Sequence, residues 1–414
     1  MKLIILSQYY APDHSATGQI LHELAAAMVR SGDQIQILTG QPTYAIRERR
    51  PSHEILEGVD VRRVSGTRFN KNTKLGKILN SLSFFAMVFF LTLMTPRKVA
   101  LLIVSNPPFL PLIGWFMHLL KGQPYIYLVH DVYPDIAVRL GYLRLGGLVE
   151  RLWNFLNTRI FASVSRVIVL SETMHEVIAA KPAIDPARID VIHNWADGKT
   201  IVNLEKGQNP FVKEHQLLVP FVVQYSGNMG LFHDLEGLIE VARRTEGLPM
   251  RYLMIGDGGK RTKLQILAKG LDNVSFLPYQ PKSELRYSLT ACDVAIVTLE
   301  EGIEGLAAPS KLYGILAAGR AVVAIVEEHS YIRRLITEAD CGVAVRPKDI
   351  DSLEATLLQL YKDPDRVLQM GRNARSWFET HFTLEQAVRN YRNVVERTIA
   401  SSNREKFERP VNPA

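Results

Sequence analysis

Apolar residues along the first half of the chain follow the pattern of alternating strands and helices. The run KLIILS (2–7) is continuously apolar, as in a buried strand, and QILHELAAAMVRSG (19–32) repeats its apolar positions at helical spacing. QIQILTG (34–40) resembles a second buried strand. A strand, a helix and a strand in this order predict a parallel sheet with a right-handed crossover. Further strand-like runs extend the predicted first domain over residues 1–196; they lie at 59–65, 99–105, 124–131, 164–171 and 190–195.

A second series of strands and helices follows a polar stretch of weak periodicity, which we interpret as a linker over residues 197–214. The second domain is predicted over 215–382; its strand-like runs lie at 221–227, 250–258, 274–279, 294–299, 321–326 and 342–345. Residues 383–400 have the pattern of a long helix that we expect to pack back on the first domain, and 401–414 that of a flexible tail. The predicted fold class is α/β, with two Rossmann-like, doubly wound parallel sheets facing a cleft.

One apolar stretch, KILNSLSFFAMVFFLTLMTPR (77–97), approaches the roughly 20 residues that a membrane span needs. Polar residues interrupt it, so we favour a buried or membrane-resting helix over a true span. A second apolar stretch covers 107–120. The nearby basic residues form either a solvated face or a surface attracted to anionic lipid headgroups; they are Arg47, Arg49, Arg50, Arg62, Arg63, Arg68, Lys71, Lys74 and Lys77.

Composition is that of a folded chain too long for one core, with 414 residues, 47% hydrophobic and 22% charged. The net charge of +7 is compatible with an acidic ligand, an anionic membrane or nucleic acid. The two cysteines, Cys292 and Cys341, are isolated and indicate a reducing cytoplasm rather than a disulfide scaffold or a zinc site. The start of the chain runs directly into the first strand and lacks the pattern of a secretory signal.

In the first domain, candidate functional residues stand where strands end. Thr17 and Gly18 are small residues that open a helix after the first strand, where the backbone can approach a ligand. His130 and Asp131 follow the strand at 124–131 and are candidates for substrate contacts or proton handling. The alternatives are an ordinary strand-to-helix turn for the first pair, and a capping aspartate with a structural histidine for the second.

In the second domain, Gly227 and Gly230 predict a tight loop with exposed backbone, in which Asn228 and His233 can hydrogen-bond to an anion. Lys260 follows a second glycine-rich loop and can either reach a phosphate or lie on the surface. That loop lacks the G-x-G-x-x-G fingerprint, which disfavours a dinucleotide-binding dehydrogenase.

The run APSKLYGILAAGR (308–320) predicts a short helix with a lysine in its first turn. A cation there is unfavourable by about 0.3 kcal/mol, because the helix start is already positive. An anion bound by Pro309, Ser310 and Lys311 would remove this penalty. Glu304, just before this run, can accept sugar hydroxyls or lie on an acidic loop. The Asp-Ile-Asp at 349–351 is better explained by a helix cap than by a metal site.

The ordered motifs YSGN-x-G, G-D-G and PSK-x-Y-G-x-L-A-A-G-R resemble the GT-B glycosyltransferases of retaining family 4, in particular the branch that builds bacterial exopolysaccharide, colanic acid or O-antigen. The resemblance implies donor binding in the second domain and acceptor binding in the first. It places the donor diphosphate at Gly227, Asn228, Gly230, Ser310 and Lys311, the base near Tyr279, the transferred sugar near His130, and Thr17 and Gly18 on the acceptor side.

The chain departs from the family pattern in two places. Many relatives have a ribose-binding glutamate where this chain has Gly314, and arginine and lysine where it has Asn228 and His233. These departures suit the polysaccharide branch better than relatives that make sucrose or glycogen.

The resemblance implies transfer of a sugar from a UDP-sugar to a polyprenyl-phosphate-linked sugar, with retention of configuration. No metal or other cofactor and no nucleic acid are expected, and the enzyme is expected to be cytoplasmic and peripheral at the inner membrane surface. Two alternatives remain at this point: a GT-B sugar-nucleotide epimerase, and a non-catalytic nucleotide- or sugar-binding protein.

Overall fold

The computed structural model describes residues 1–13, 15–42, 49–67, 69 and 74–407. Contacts divide the chain into two compact units. The first contains Met1–His193 and Leu384–Ala414, and the second contains Asn194–Thr383. Each unit has its own sheet.

The sheet of the first unit has eight strands in the order β3-β4-β2-β1-β5-β6-β7-β8, and only β3 is antiparallel to its neighbour. The strands are β1 (Lys2–Leu6), β2 (Gln34–Gly40), β3 (His53–Leu56), β4 (Val59–Val64), β5 (Ala100–Val104), β6 (Tyr125–Leu128), β7 (Arg166–Val169) and β8 (Ile189–Val191). Their helices are α1 (Ala16–Arg30), α2 (Lys74–Leu93), α3 (Pro111–Lys121), α4 (Asp135–Arg139), α5 (Leu148–Ser163) and α6 (Glu172–Ala179). The middle strands are apolar on both faces, as expected for a parallel sheet covered on two sides.

The sheet of the second unit has six parallel strands in the order β11-β10-β9-β12-β13-β14. The strands are β9 (Phe221–Ser226), β10 (Met250–Ile255), β11 (Val274–Leu277), β12 (Val294–Thr298), β13 (Ala321–Ile325) and β14 (Gly342–Val345). Their helices are α7 (Pro210–Glu214), α8 (Glu236–Arg244), α9 (Arg261–Leu267), α10 (Leu285–Ser288), α11 (Lys311–Ala317), α12 (Tyr331–Glu338), α13 (Ile350–Lys362) and α14 (Pro364–His381).

The last helix, α15 (Leu384–Phe407), belongs to the first unit and contacts α1, β5 and β6. Its Arg397 donates to Asp190 Oδ1 at 2.6 Å, and Arg392 Nε lies 3.3 Å from Asp33 Oδ2. The helix continues past residue 400, where the sequence pattern predicts a tail; residues 408–414 lie outside the described residues.

The stretch that the sequence predicts to be a linker, residues 197–214, lies inside the second unit. It contains α7, and two buried or half-buried cations hold it: Arg375 Nη1 donates to Ile201 O at 2.7 Å, and Lys206 Nζ bonds Asp293. The division between the units falls earlier, between His193 and Asn194.

The apolar stretch at 77–97 forms most of α2, which contacts α3, β2 and β4. Phe84 and Val88 are buried, whereas Leu75, Ile78 and Phe90 are exposed. Within the described part of the chain, no helix combines the length and the apolar character that crossing a membrane requires.

Candidate functional site

Strand order marks one place in each sheet where a ligand can bind. Successive strands are added in opposite directions on either side of the β9–β12 pair in the second unit and of the β1–β5 pair in the first. In open α/β sheets, ligands bind outside the carboxyl ends of the strands at such a switch point. The sequence-predicted residues of the second unit come from the loops after β9, β10, β11 and β12 and from the start of α11.

Two glycine-rich loops of the second unit pack backbone against backbone. Gly227 N donates to Ile255 O at 2.9 Å, and Met229 N donates to Asp257 O at 2.8 Å. A Cβ on Gly256 would lie 2.0 Å from Gly227 O, and Gly256 has a φ of 128°. Glycine is therefore needed at 256 for loop-to-loop packing, and only indirectly for any ligand.

Gly227 itself makes room for a lysine. A Cβ at this position would lie 3.3 Å from Lys311 Cε. Lys311 Nζ lies 4.0 Å from the centroid of the Tyr225 ring, donates to the Tyr225 hydroxyl and is 3.5 Å from His233 Nε2. Within the described residues, none of these contacts is a carboxylate, and burial lowers the pKa of Lys311 to about 7.

His233 is held as a neutral acceptor beside this lysine. Its Nδ1 lies 2.8 Å from Thr298 O, so that nitrogen carries the proton and Nε2 is free to accept from Lys311. Burial, followed by the charges of Lys311 and Lys260, lowers the pKa of His233 to about 3. The Tyr225 hydroxyl donates to Asn228 O at 2.5 Å, which leaves its oxygen to accept from Lys311. The lysine charge is thus surrounded by neutral acceptors.

Lys260 has the opposite environment. Its Nζ donates to His233 O at 2.7 Å, Glu236 Oε2 at 3.0 Å and Glu300 Oε1 at 2.5 Å. Burial opposes its charge, but the bonds to Glu300 and Glu236 outweigh that effect and raise the pKa of Lys260. Lys260 is buried, so the interpretation as a surface lysine is wrong. Its contacts in this structure are internal, which does not support a direct phosphate contact either.

The same lysine lies within a group of carboxylates. Oxygen atoms of Asp234, Glu236 and Glu300 all lie within 4.8 Å of one another, a spacing that could hold a metal ion. Lys260 Nζ bonds two of these three groups and supplies positive charge there. The prediction that the protein needs no metal is untested and stays a prediction.

The remaining predicted residues of the second unit differ in placement. Asn228 and Tyr279 are exposed, and the Tyr279 hydroxyl donates to Asp257 O at 3.4 Å beside the glycine loops. Glu304 is buried, and its Oε1 accepts from Tyr331 N at the start of α12, so an exposed acidic loop is wrong for this residue. Pro309 is buried and Ser310 half-buried, immediately before α11.

Two further residues of this loop have partners that lie far away in the sequence. Asp234 accepts from Lys348 N at 2.8 Å and lies just before α8, which begins at Glu236. Tyr225 contacts Lys311, and the sequence gives no signal for this role beyond an aromatic residue near the end of a strand.

In the first unit, His130 and Asp131 follow β6. Both backbone N–H groups donate to Ser105 Oγ after β5, at 3.0 and 3.2 Å. Burial lowers the pKa of His130 to about 4 and raises that of Asp131 to about 6. At neutral pH this loop therefore presents a neutral imidazole and a carboxylate that can take a proton within the physiological range.

Thr17 and Gly18 lie in the first turn of α1, where Ser15 Oγ accepts from Gly18 N at 3.1 Å. A Cβ on Gly18 would lie 2.8 Å from Ser15 Oγ and 3.2 Å from Tyr10 N. Gly18 is buried, so its small size is explained by packing of the helix start, whereas Thr17 is half-exposed.

Arg63 is a residue whose role the sequence misses. It is buried, and it donates to Glu54 Oε1 at 2.7 Å and to Ala11 O at 2.5 Å, which holds the loop after β1. It cannot belong to the basic surface to which its sequence neighbours were assigned. Arg47, Arg68 and Lys71 of that predicted surface lie outside the described residues, as do the side chains of Lys74 and Lys77.

The model for a glycosyl transferase 4-like domain matches residues 15–195, and the model for glycosyl transferases group 1 matches residues 211–377. A probable glycosyltransferase, WbjE of Pseudomonas aeruginosa, is 27% identical over 89% of this chain and 94% of its own length. A putative colanic acid biosynthesis glycosyl transferase, WcaI of Escherichia coli strain K12, is 24% identical over 95% of this chain and 99% of its own length.

Among solved structures, Anabaena Alr3699/HepE in complex with UDP and glucose superposes with a TM-score of 0.71. The likeness covers 96% of this chain and 99% of that chain at 14% sequence identity. The two α/β units therefore have the GT-B fold, which confirms the fold class predicted from the sequence.

Proposed function

Because this chain belongs to the GT-B glycosyltransferases that join a glycosyl transferase 4-like domain to a group 1 domain, we propose that it transfers a sugar from a UDP-sugar to a lipid-linked sugar, with retention of the anomeric configuration. The product is a precursor of a bacterial surface polysaccharide. The relatives WbjE and WcaI support this assignment, since the latter is described as a colanic acid biosynthesis enzyme.

The environment of Lys311 is the observation that carries the donor assignment. A half-buried lysine whose described contacts are a tyrosine hydroxyl, an aromatic face and a neutral histidine lacks a counter-charge. A diphosphate bound at this position supplies that counter-charge. Binding an anion raises the fraction of charged lysine, so ligand and proton binding are coupled here.

The same lysine can stabilise the departing group. As the bond between the anomeric carbon and the diphosphate breaks, negative charge grows on the diphosphate oxygens. A preorganised donor at that position contributes roughly 3 kcal/mol to lowering the barrier. Asn228 on the adjacent exposed loop is a further donor, and the exposed ring of Tyr279 can stack on the base. The choice of uridine is supported by HepE, which was solved with UDP and glucose.

The acceptor side fits a reaction without a protein nucleophile. The acceptor oxygen forms a bond to the anomeric carbon on the face from which the diphosphate leaves, and the acceptor proton passes to a diphosphate oxygen. His130 is neutral at the pH of this reaction and steadies the sugar through hydrogen bonds, while Asp131 can orient the acceptor hydroxyl.

A lipid-linked acceptor requires contact with a membrane. The exposed apolar side chains of α2, including Leu75, Ile78 and Phe90, support peripheral binding at the cytoplasmic face of the membrane. The proposed reaction uses no metal or other cofactor and no nucleic acid.

The test is calorimetric titration of the full chain with UDP and with GDP, with and without EDTA. We expect UDP to bind more tightly than GDP, and EDTA to leave binding unchanged. Lys311→Ala should weaken UDP binding by about 100-fold, while Lys269→Ala, at an exposed surface lysine of the same unit, should leave it unchanged. Failure of both nucleotides to bind would overturn the proposal, as would an undiminished affinity in Lys311→Ala.

A further inference from the structure

The helix α5 carries a row of exposed apolar side chains on one face. Leu148, Leu152 and Phe155 are 86%, 59% and 53% exposed, and their spacing places them on the same side of the helix. The preceding turn adds Tyr142 and Leu145, which are also exposed. Large apolar side chains in such a row mark an interaction surface rather than a solvated helix face.

The apolar surface continues on neighbouring helices of the same unit. α5 packs against α3, and α3 packs against α2. Leu119 and Leu120 at the end of α3 are exposed, as are Phe90 and Met94 at the end of α2. Three adjacent helices thus leave apolar side chains uncovered.

The charge around these three helices indicates what kind of partner covers their apolar side chains. Residues 61–130 contain nine lysines and arginines and no aspartate or glutamate, although one of the nine, Arg63, is buried against Glu54 and adds no surface charge. On and beside α5, exposed arginines stand at 139, 144, 151 and 159, with Glu150 as the one acidic residue between 136 and 163. Apolar side chains interspersed with arginines fit an anionic bilayer. A second copy of this chain fits less well, because a two-fold interface would bring the same arginines together.

The opposite face of α5 is bonded to the loop that begins with His130 and Asp131. Asn157 Nδ2 donates to Tyr133 O at 2.8 Å, and the Trp153 ring stacks on the Tyr133 ring with centroids 5.8 Å apart. Asn157 is buried, so the loop and the helix are held together away from solvent. One helix therefore has the apolar face on one side and the candidate acceptor loop on the other.

We propose that α5 is a bilayer-docking helix that sets the His130 loop at the surface of an anionic membrane. Only the identity of the acceptor rests on the proposed function; the docking itself follows from exposure and charge. A lipid-borne sugar then meets the loop without leaving the membrane, because the helix that binds the lipid surface also fixes the loop.

The first test is co-sedimentation of the full chain with vesicles of phosphatidylcholine, with or without phosphatidylglycerol. We expect binding to the anionic vesicles. The variant Leu148→Ser/Leu152→Ser/Phe155→Ser should lose at least about tenfold of that affinity. Arg144→Gln/Arg151→Gln should lose roughly tenfold on anionic vesicles only. The matched control Leu218→Ser/Ile266→Ser/Leu368→Ser removes equally exposed apolar residues of the second unit and should bind as the unaltered chain does.

The coupling to the loop has its own measurement. Hydrogen–deuterium exchange across residues 129–140 should slow when anionic vesicles are added to the unaltered chain, and should not change in the triple serine variant of α5. Thermal melting of that variant shows whether it is folded; if it is not, the arginine variant carries the test, because its substitutions lie on the surface.

Other outcomes overturn the proposal. Full vesicle binding by the α5 variant excludes docking through this helix, and exchange that vesicles leave unchanged excludes the coupling. Self-association that the triple variant abolishes would make this face an interface between copies. UDP titration of the unaltered chain distinguishes the failure of this proposal from the failure of the proposed function. If the chain binds anionic vesicles but does not bind UDP, only the donor assignment is contradicted.

Discussion

The loop after β9 and the loop after β6 occupy equivalent positions, at the carboxyl ends of parallel strands, yet they treat charge in opposite ways. The first surrounds Lys311 with neutral acceptors, so that a cation is left to attract an anion. The second carries a neutral His130 next to Asp131, whose pKa burial raises to about 6.

In the proposed reaction, this difference would separate two tasks. A diphosphate carries formal charge and calls for an uncompensated cation, whereas a sugar hydroxyl is neutral and calls for hydrogen bonds and a proton acceptor. Lys260 and Lys311, both in the second unit, show the same contrast at shorter range. Glu236 and Glu300 neutralise Lys260, whereas the described contacts of Lys311 include no carboxylate.

The largest effect is expected where the two glycine-rich loops touch. Gly256→Ala places a Cβ 2.0 Å from Gly227 O at a φ of 128°, so both loops must shift. We expect a loss of roughly 3 kcal/mol in the free energy of unfolding and loss of UDP binding. Chemical denaturation and calorimetry measure both quantities.

The control is Gly259→Ala, where an added Cβ meets nothing within 4 Å. It should leave unfolding and UDP binding unchanged. Equal behaviour of the two variants would mean that loop contact does not shape the donor site.

The two lysines give a direct test of the contrast between structure and binding. Lys260→Met removes the buried cation that lies between Glu236 and Glu300, and Glu236 then keeps only the exposed Lys263, so the substitution should cost about 2 kcal/mol of unfolding free energy. Lys311→Met, at a site that lacks a carboxylate partner among the described residues, should cost no stability and should weaken UDP binding. Urea titration of both variants measures their free energies of unfolding. Equal destabilisation would contradict a structural role for Lys260 and a binding role for Lys311.

The order of strands and helices could be predicted from the sequence because parallel strands are buried on both faces and therefore consist of nearly continuous apolar residues. The parallel strands of both sheets could be predicted in this way, and the fold class is confirmed, but the short antiparallel strand β3 was missed. The pairing of charges was less accessible, because it depends on which distant side chain a long cation meets. Lys260 and Lys311 look alike in sequence, but only Lys260 reaches two glutamates, one of them 40 residues away.

Arg63 shows the same limit from the other direction. Within a run of basic residues it resembles a surface charge, but β4 turns its side chain inward to Glu54 and to Ala11 O, 52 residues away. Glu304 and Asp234 are likewise placed by contacts with Tyr331 and Lys348, which no local pattern reveals. The loops carrying candidate residues could be located from the sequence, whereas the partners of each side chain could not.

The charge on Lys311 should also appear in the pH dependence of stability. Its pKa is lowered from the ordinary value near 10.5 to about 7 in the folded protein. Between these values the unfolded chain binds more protons than the folded one, so this group's contribution to stability rises with pH from about 7 to 10. Relative to Lys311→Met, the unaltered chain should gain about 1.5 kcal/mol over that range, allowing for partial exposure.

Urea unfolding at pH 6.5, 8 and 9.5 measures the difference between the two chains. Lys269→Met, at an exposed lysine, serves as the control and should follow the unaltered chain. Parallel curves for the unaltered chain and Lys311→Met would show that Lys311 is not desolvated, and would remove the reason for expecting an anion beside it.

Asp131 provides the smallest effect and the sharpest test of the first unit. Its folded pKa is raised to about 6, so above the ordinary value of about 3.9 the folded protein holds a proton more tightly than the unfolded chain. Stability from this group is present below pH 4 and is lost as pH rises through 6. Asp131→Asn should therefore raise the free energy of unfolding at pH 7 by about 1 kcal/mol, with no gain at pH 4, and should reduce sugar transfer. A gain in stability with an unchanged rate of sugar transfer would show that the carboxylate is desolvated but takes no part in the reaction. If the variant is no more stable at pH 7, the carboxylate is not desolvated, and the contrast with the Lys311 site fails.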